Sequence, residues 1–258
     1  MPARGASRTK LLLLDFDGTV CLGDDPVLVY ASQVETMLTE RGSRSRAPGG
    51  HRGGVRDVVA DALFRGDLRL PELRQDHHDP VPPQDGYQLV QLLARRAGIS
   101  DDDVGLAFRA ARRDLLDIGL EATDIHAPAD LAALLARVRR TTVVVLVTNA
   151  PAVDFTGWLQ ALGLSESFDA VINDARKPLG MPDALRRARA VEDADMPVAA
   201  DRILSVGDIW HNDLEPVAAA GGATALIDRF SAGVGHPTWR VDDFAGAAKI
   251  IDRWWNST

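Results

Sequence analysis

The chain has 258 residues, 46% hydrophobic and 26% charged, enough apolar material for a globular α/β core with room for a second, smaller domain. Its net charge of -8 argues against a polyanion-binding surface, so no nucleic-acid partner is expected. One cysteine, Cys21, excludes an intrachain disulfide, and the apolar run behind the basic first ten residues breaks at Asp15, too soon for a signal-peptide core or a membrane span. The expected location is cytoplasmic, with no membrane partner.

Lys10 and Leu11 to Leu14 form an aliphatic run of the length expected for a buried parallel strand. It runs into Asp15-Phe16-Asp17-Gly18-Thr19. Side chains two apart on an extended chain share a side, about 6–7 Å apart. Asp15 and Asp17 are therefore expected to face one site at the strand's carboxyl end, with Gly18 letting the chain turn away. Residues 20–26 read as a tight hairpin or flap around Gly23, closed by Pro26. A helix is predicted over 27–38, then an Arg/Gly-rich surface loop over 41–54, a helix over 55–64, a second loop around His77 and His78, and helices over 87–96 and 100–120. Asp103 is placed to cap the last of these.

From Asp124 the pattern becomes alternating. Helices are predicted over 128–140, 153–162, 181–191, 214–220 and 242–255, and strands over 142–147, 170–172, 203–206 and 223–227. The fold class follows: α/β, a Rossmann-like parallel sheet flanked by helices, plus a mainly α-helical cap domain. The core is expected over 1–23 and 124–258, the cap over 24–123.

Each strong strand ends in polar residues: Asp15 and Asp17, Thr148 and Asn149, the loop with Lys177-Pro178, and Gly207-Asp208 leading to Asp213. In a parallel sheet these ends lie on one edge. Lys177 stands out because lysine occurs elsewhere only at Lys10 and Lys249 in an arginine-dominated chain.

Asp-x-Asp-Gly-Thr, a hydrophobic strand with Thr-Asn, Lys-Pro and Gly-Asp-x-x-x-x-Asp, in that order, resemble the haloacid dehalogenase superfamily of phosphohydrolases over about residues 8–23 and 124–258. The resemblance implies a Mg²⁺-dependent phosphatase acting on a small phosphorylated metabolite through an aspartyl-phosphate. Asp15 would be the nucleophile and Asp17 the general acid and base. Mg²⁺ would sit on Asp15, the Asp17 backbone carbonyl and Asp208, the hard oxygens that ion takes. Lys177 and the Thr148 hydroxyl would bind phosphoryl oxygens. Asn149 joins this substrate-binding loop, shaping it rather than contacting substrate, while Gly18, Thr19, Gly207 and Asp213 support the site. Asp17 and the acidic fourth motif would be idle in carbon–halogen cleavage, which favours phosphate. The alternatives are a phosphomutase with the same chemistry and a catalytically silent binder of a phosphorylated ligand or partner. Asp24 and Asp25 are open to a polyol contact, Arg44, Arg46, Arg52 and Arg56 to a second anion, and Trp254 and Trp255 to core packing or a contact surface. Substrate identity and oligomeric state are not legible, and Trp210 and His211 receive no role.

Overall fold

A computed structural model describes residues 8–42, 53–70 and 81–257. Most of the Arg/Gly-rich loop, with Arg44, Arg46 and Arg52, and the His77-His78 loop lie outside the described residues. The chain divides into a sheet-bearing unit, residues 8–22, 126–228 and 235–257, and a helical unit, 23–125 with 229–234.

In the sheet-bearing unit the described strands are β1 (Lys10–Leu14), β2 (Thr142–Val147), β3 (Ala170–Ile172), β4 (Ile203–Gly207), β5 (Ala223–Ile227) and β6 (Trp239–Val241). They pair in parallel in the order β3-β2-β1-β4-β5-β6, a doubly wound α/β sheet. Leu11 to Leu14 and all six residues of β2 are buried, which is why both strands read as unbroken apolar runs. At roughly 1.5–3 kcal/mol per buried Val or Leu side chain, β2 alone accounts for about 10 kcal/mol of gross burial energy. The odd-numbered face, with Leu11, Leu13, Val143 and Val145, packs on Met181, Ala184 and Leu185 of the helix Met181–Arg189. The chain winds from β1 outward to β3, then returns past β1 to β4, so the crevice of the fold opens at the carboxyl ends of β1 and β4.

The helical unit contains α1 (Asp25–Glu40), α2 (Val55–Arg65), α3 (Gly86–Arg96) and α4 (Asp101–Ile118). Their apolar faces meet around Tyr30, Val34, Val59, Leu89, Leu93 and Ala107, and Phe230 from the segment after β5 belongs to the same cluster. Ser100 caps α4 by accepting from the Asp103 N–H at 3.3 Å, and Asp85 caps α3 through the Gln88 N–H at 2.7 Å. Gly119, at φ +91°, ends α4 two residues before the expected limit. No helix among the described residues is long and apolar enough to cross a membrane.

Three local expectations change. Pro26 does not close a flap: it lies in the first turn of α1, where its missing N–H costs nothing. The helices α5 (Leu131–Val138) and α6 (Phe155–Ala161) start later than predicted, because Asp130 (φ 59°) and Asp154 (φ 58°) take left-handed backbone that a helix cannot continue through. The short edge strand β6, half exposed, carries no periodicity to read. The remaining helices are α7 (Met181–Arg189), α8 (Glu215–Ala219) and α9 (Phe244–Asn256). In α9 Trp254 is buried, and the Trp255 indole donates to Thr141 Oγ1 at 2.8 Å.

Candidate active site

The site grows from the end of β1. The Asp15 N–H still donates to the Val206 carbonyl at 3.0 Å, so Asp15 is the last residue held by the sheet. Phe16 points the other way and is fully buried against Phe155 (centroids 4.7 Å apart) and Trp158 (6.2 Å). That anchor fixes the chain where it leaves β1, between Asp15 and Asp17. The Phe16 carbonyl then accepts from the N–H groups of Thr19, Val20 and Cys21, closing a compact turn. Gly18 sits in it at φ +79°, and a Cβ there would fall 2.1 Å from Asp208 Oδ2. Only glycine satisfies both conditions. Thr19 is fully buried, and among the described residues its hydroxyl has no hydrogen-bond partner.

Lys177 reaches this point from the loop after β3. Its Nζ donates to Asp15 Oδ1 at 2.5 Å, to Asp213 Oδ1 at 2.6 Å and to the Val147 carbonyl at 3.0 Å, with 3% of the side chain exposed. Asp213 is fixed in turn: its Oδ2 accepts from the Ile209 N–H at 3.0 Å, and its carbonyl accepts from Ser205 Oγ at 2.8 Å. A Cβ on Gly207 would meet Asp213 Cβ at 2.5 Å, so the chain leaves β4 through a glycine to let that side chain lie against it. Ser205 was missed by sequence reasoning, although a hydroxyl inside an otherwise apolar strand was a readable signal.

Carboxylate oxygens of Asp15, Asp208 and Asp213 lie within 4.8 Å of one another, all three residues buried. Burial works against the Lys177 ammonium, but Asp15 and Asp213 outweigh it and hold its pKa above the usual lysine value. Burial, followed by the Asp213 charge, pushes the Asp15 carboxyl up to about 8 against the pull of Lys177, with Asp17 adding to the rise. Together the shifts describe one cluster with more negative charge than a single ammonium neutralises. The close spacing, the hard oxygen donors and the charge excess fit a divalent cation such as Mg²⁺.

Thr148 and Asn149 follow β2. Thr148 is buried, and its Oγ1 accepts from the Ala150 N–H at 2.9 Å. The Asn149 side chain turns to the backbone of Lys177, accepting from its N–H at 2.7 Å and donating to its carbonyl at 3.2 Å. Asp17 is half-buried in the turn. Trp210 is buried with its ring over Gly235, where a Cβ would stand 2.2 Å away, and His211 pairs with Glu215 on the surface at 2.6 Å. In the helical unit the Asp24 carboxylate is taken by a two-pronged pair with Arg229 (2.7 and 3.0 Å), and Asp25 accepts from the Asp124 N–H at 2.9 Å. Both carboxylates, left open to a polyol contact by the sequence, thus have partners within the helical unit.

The chain matches no protein-family model and no curated protein. Its fold is similar to that of solved structures. One, from Haemophilus somnus, is described as a predicted phosphoglycolate phosphatase: 16% identity, 95% of this chain and 99% of that one, TM-score 0.56. Another is a haloacid dehalogenase-like protein of unknown function from Agrobacterium tumefaciens: 19% identity, 95% and 98% covered, TM-score 0.55. A third is a hydrolase of the same kind from Bacillus subtilis, bound to magnesium: 16% identity, 95% and 99% covered, TM-score 0.53. At these identities the likeness establishes the fold.

Proposed function

We propose that this chain, which carries the fold of the haloacid dehalogenase-like hydrolases, is a Mg²⁺-dependent phosphatase acting on a small phosphomonoester. The observation that carries the reading is the buried Lys177 ammonium held between Asp15 and Asp213, beside Asp208, at the strand-end crevice. A binding protein has no need of a nucleophile desolvated in this way.

The Asp15 carboxylate attacks phosphorus, and the bond to the ester oxygen breaks to leave an aspartyl-phosphate. Asp17 gives a proton to the departing alkoxide, then takes one from the water that attacks the acyl phosphate and frees Asp15 and inorganic phosphate. Lys177 neutralises Asp15 and the phosphoryl oxygens, and the Thr148 hydroxyl donates to those oxygens as they flatten. Mg²⁺, held by Asp15, Asp208 and the Asp17 carbonyl, would supply the charge that lets one anion approach another. The helical unit, inserted directly behind the nucleophile loop, takes the part of the cap.

The test is a screen of phosphorylated metabolites for Mg²⁺-dependent phosphate release, with Asp15→Asn as the blank. Turnover by the parent alone, without added bisphosphate, is expected and separates hydrolysis from mutase chemistry. No turnover above the blank for any compound would sink the reading.

A further inference from the structure

We propose that Asn149 is a positioning residue for Lys177: its side-chain amide locks the loop after β2 to the loop after β3 and so sets where the ammonium meets Asp15. The role rests on Lys177 serving the hydrolysis proposed above.

Five further hydrogen bonds tie the lysine loop to the end of β2 and the loop after it. The Thr148 carbonyl accepts from the Ala175 N–H at 3.0 Å, and the Ala150 carbonyl accepts from the Asp174 N–H at 3.0 Å and from Asn173 Nδ2 at 3.3 Å. The Ala152 N–H donates to Asp174 Oδ2 at 3.1 Å, and Lys177 Nζ itself donates to the Val147 carbonyl. Within this zipper Asn149 is the side chain that grips the lysine's own peptide groups, one on each side of its Cα. The lysine loop needs such a grip. Asp174 (φ 47°) and Arg176 (φ 50°) both occupy left-handed backbone, a costly state for residues other than glycine that persists where surroundings impose it. A Cβ on Gly180 would stand 1.9 Å from the Ala175 carbonyl, so the loop is also folded back hard upon itself. An amide is the one side chain of this length that donates and accepts at once without charge. An aspartate could hold the N–H but would face the Lys177 carbonyl with a second acceptor.

The test uses the three lysines. Protein labelled with ¹⁵N-lysine gives backbone amide signals only from Lys10, Lys177 and Lys249, and Lys177→Ala identifies the second. In Asn149→Ala the Lys177 amide should exchange with deuterium at least about tenfold faster, the order of one lost hydrogen bond, while Lys10 and Lys249 hold their rates. In Asn149→Asp, which covers the case of an unfolded alanine variant, the Lys177 signal should move while the other two stay. With p-nitrophenyl phosphate and Mg²⁺, Asn149→Ala should lower kcat about tenfold at unchanged KM, and lower it no further in a Lys177→Ala background, as expected of a residue acting through another. A Lys177 amide unaltered in both variants overturns the proposal. So does a raised KM with a loss that persists in the Lys177→Ala background. The amide readout needs no turnover, so an inactive parent would refute the phosphatase reading and leave the lysine's placement measurable.

Discussion

Asp15 and Lys177, 162 positions apart, meet at 2.5 Å where both are about nine-tenths buried. Asp213 holds the same ammonium from the other side at 2.6 Å. Such a cluster is a poor device for stability, because desolvating charged groups costs about as much as their attraction returns. On the phosphatase reading proposed above, its place at the strand-end crevice serves chemistry. A nucleophilic carboxylate must be stripped of water yet kept from carrying its full charge alone.

Lys177→Met removes the ammonium and leaves two buried carboxylates facing each other. Breaking a buried pair in this way costs about 3–5 kcal/mol. The cost should depend on pH with a definite sign. Asp15 already titrates above its unfolded value, because burial and Asp213 disfavour its charge, and loss of the lysine moves it higher. A carboxyl raised in the folded state binds more protons there than in the unfolded chain, so stability falls as pH rises from about 4, the unfolded pKa, through the folded value. Because the parent also keeps this proton up to about pH 8, the two proteins part above that value, and their urea midpoints should lie closer together at about pH 7 than at about pH 9.5. Equal gaps at both pH values would contradict this.

The parent itself should respond to Mg²⁺ in the same window. The ion needs Asp15 deprotonated, and below a pKa of about 8 a proton competes for that carboxylate. The rise in melting temperature on adding Mg²⁺ should therefore be larger at pH 8 than at pH 6. Asp15→Asn should show a smaller rise with little pH dependence. A Mg²⁺ effect as large at pH 6 as at pH 8 would place the ion elsewhere.

Gly18→Ala combines two faults. The added Cβ meets Asp208 Oδ2 at 2.1 Å, and φ +79° is strained for alanine. Strain of this kind costs about 1–3 kcal/mol. Because the clash falls on a proposed metal ligand, the concentration of Mg²⁺ giving half-maximal phosphate release should rise more than KM for substrate does. A change confined to stability, with Mg²⁺ dependence intact, would separate Gly18 from the metal.

The α/β architecture was legible because chemistry and burial both leave marks on single segments. Aliphatic runs ending in Asp15, Asn149 and Asp208 advertise buried parallel strands with polar ends, and the strands pair in parallel as the alternation predicts. What stayed hidden depends on partners far away in sequence. Asn149 grips a backbone 28 residues on, a relation that no short window of the chain contains. Other features hid in residues with two good meanings. Pro26 fits a turn as well as a first helical position, and Asp130 and Asp154 fit a cap, although each takes left-handed backbone instead.

The least expected of the long-range relations is Phe230. It leaves β5 in a segment of six residues that groups with the helices, and it is 6% exposed among Tyr30, Val34, Leu89 and Leu93. Arg229 beside it stacks its guanidinium 4.8 Å from the Phe230 ring and pairs with Asp24 at the start of α1. The helical unit is thus completed by chain that the sheet must deliver, not by its own insert alone. Removing a buried phenyl ring costs about 3–5 kcal/mol through lost burial and the cavity left behind. In Phe230→Ala that loss should fall first on the helices that share the cavity. Hydrogen exchange should accelerate at amides of α1, α3 and α4 while β1, β2 and β4 keep their protection, because local opening of a small packed unit needs less free energy than global unfolding. If strand and helix amides accelerate together, the two units unfold as one and the segment is not a separate closure of the helical core.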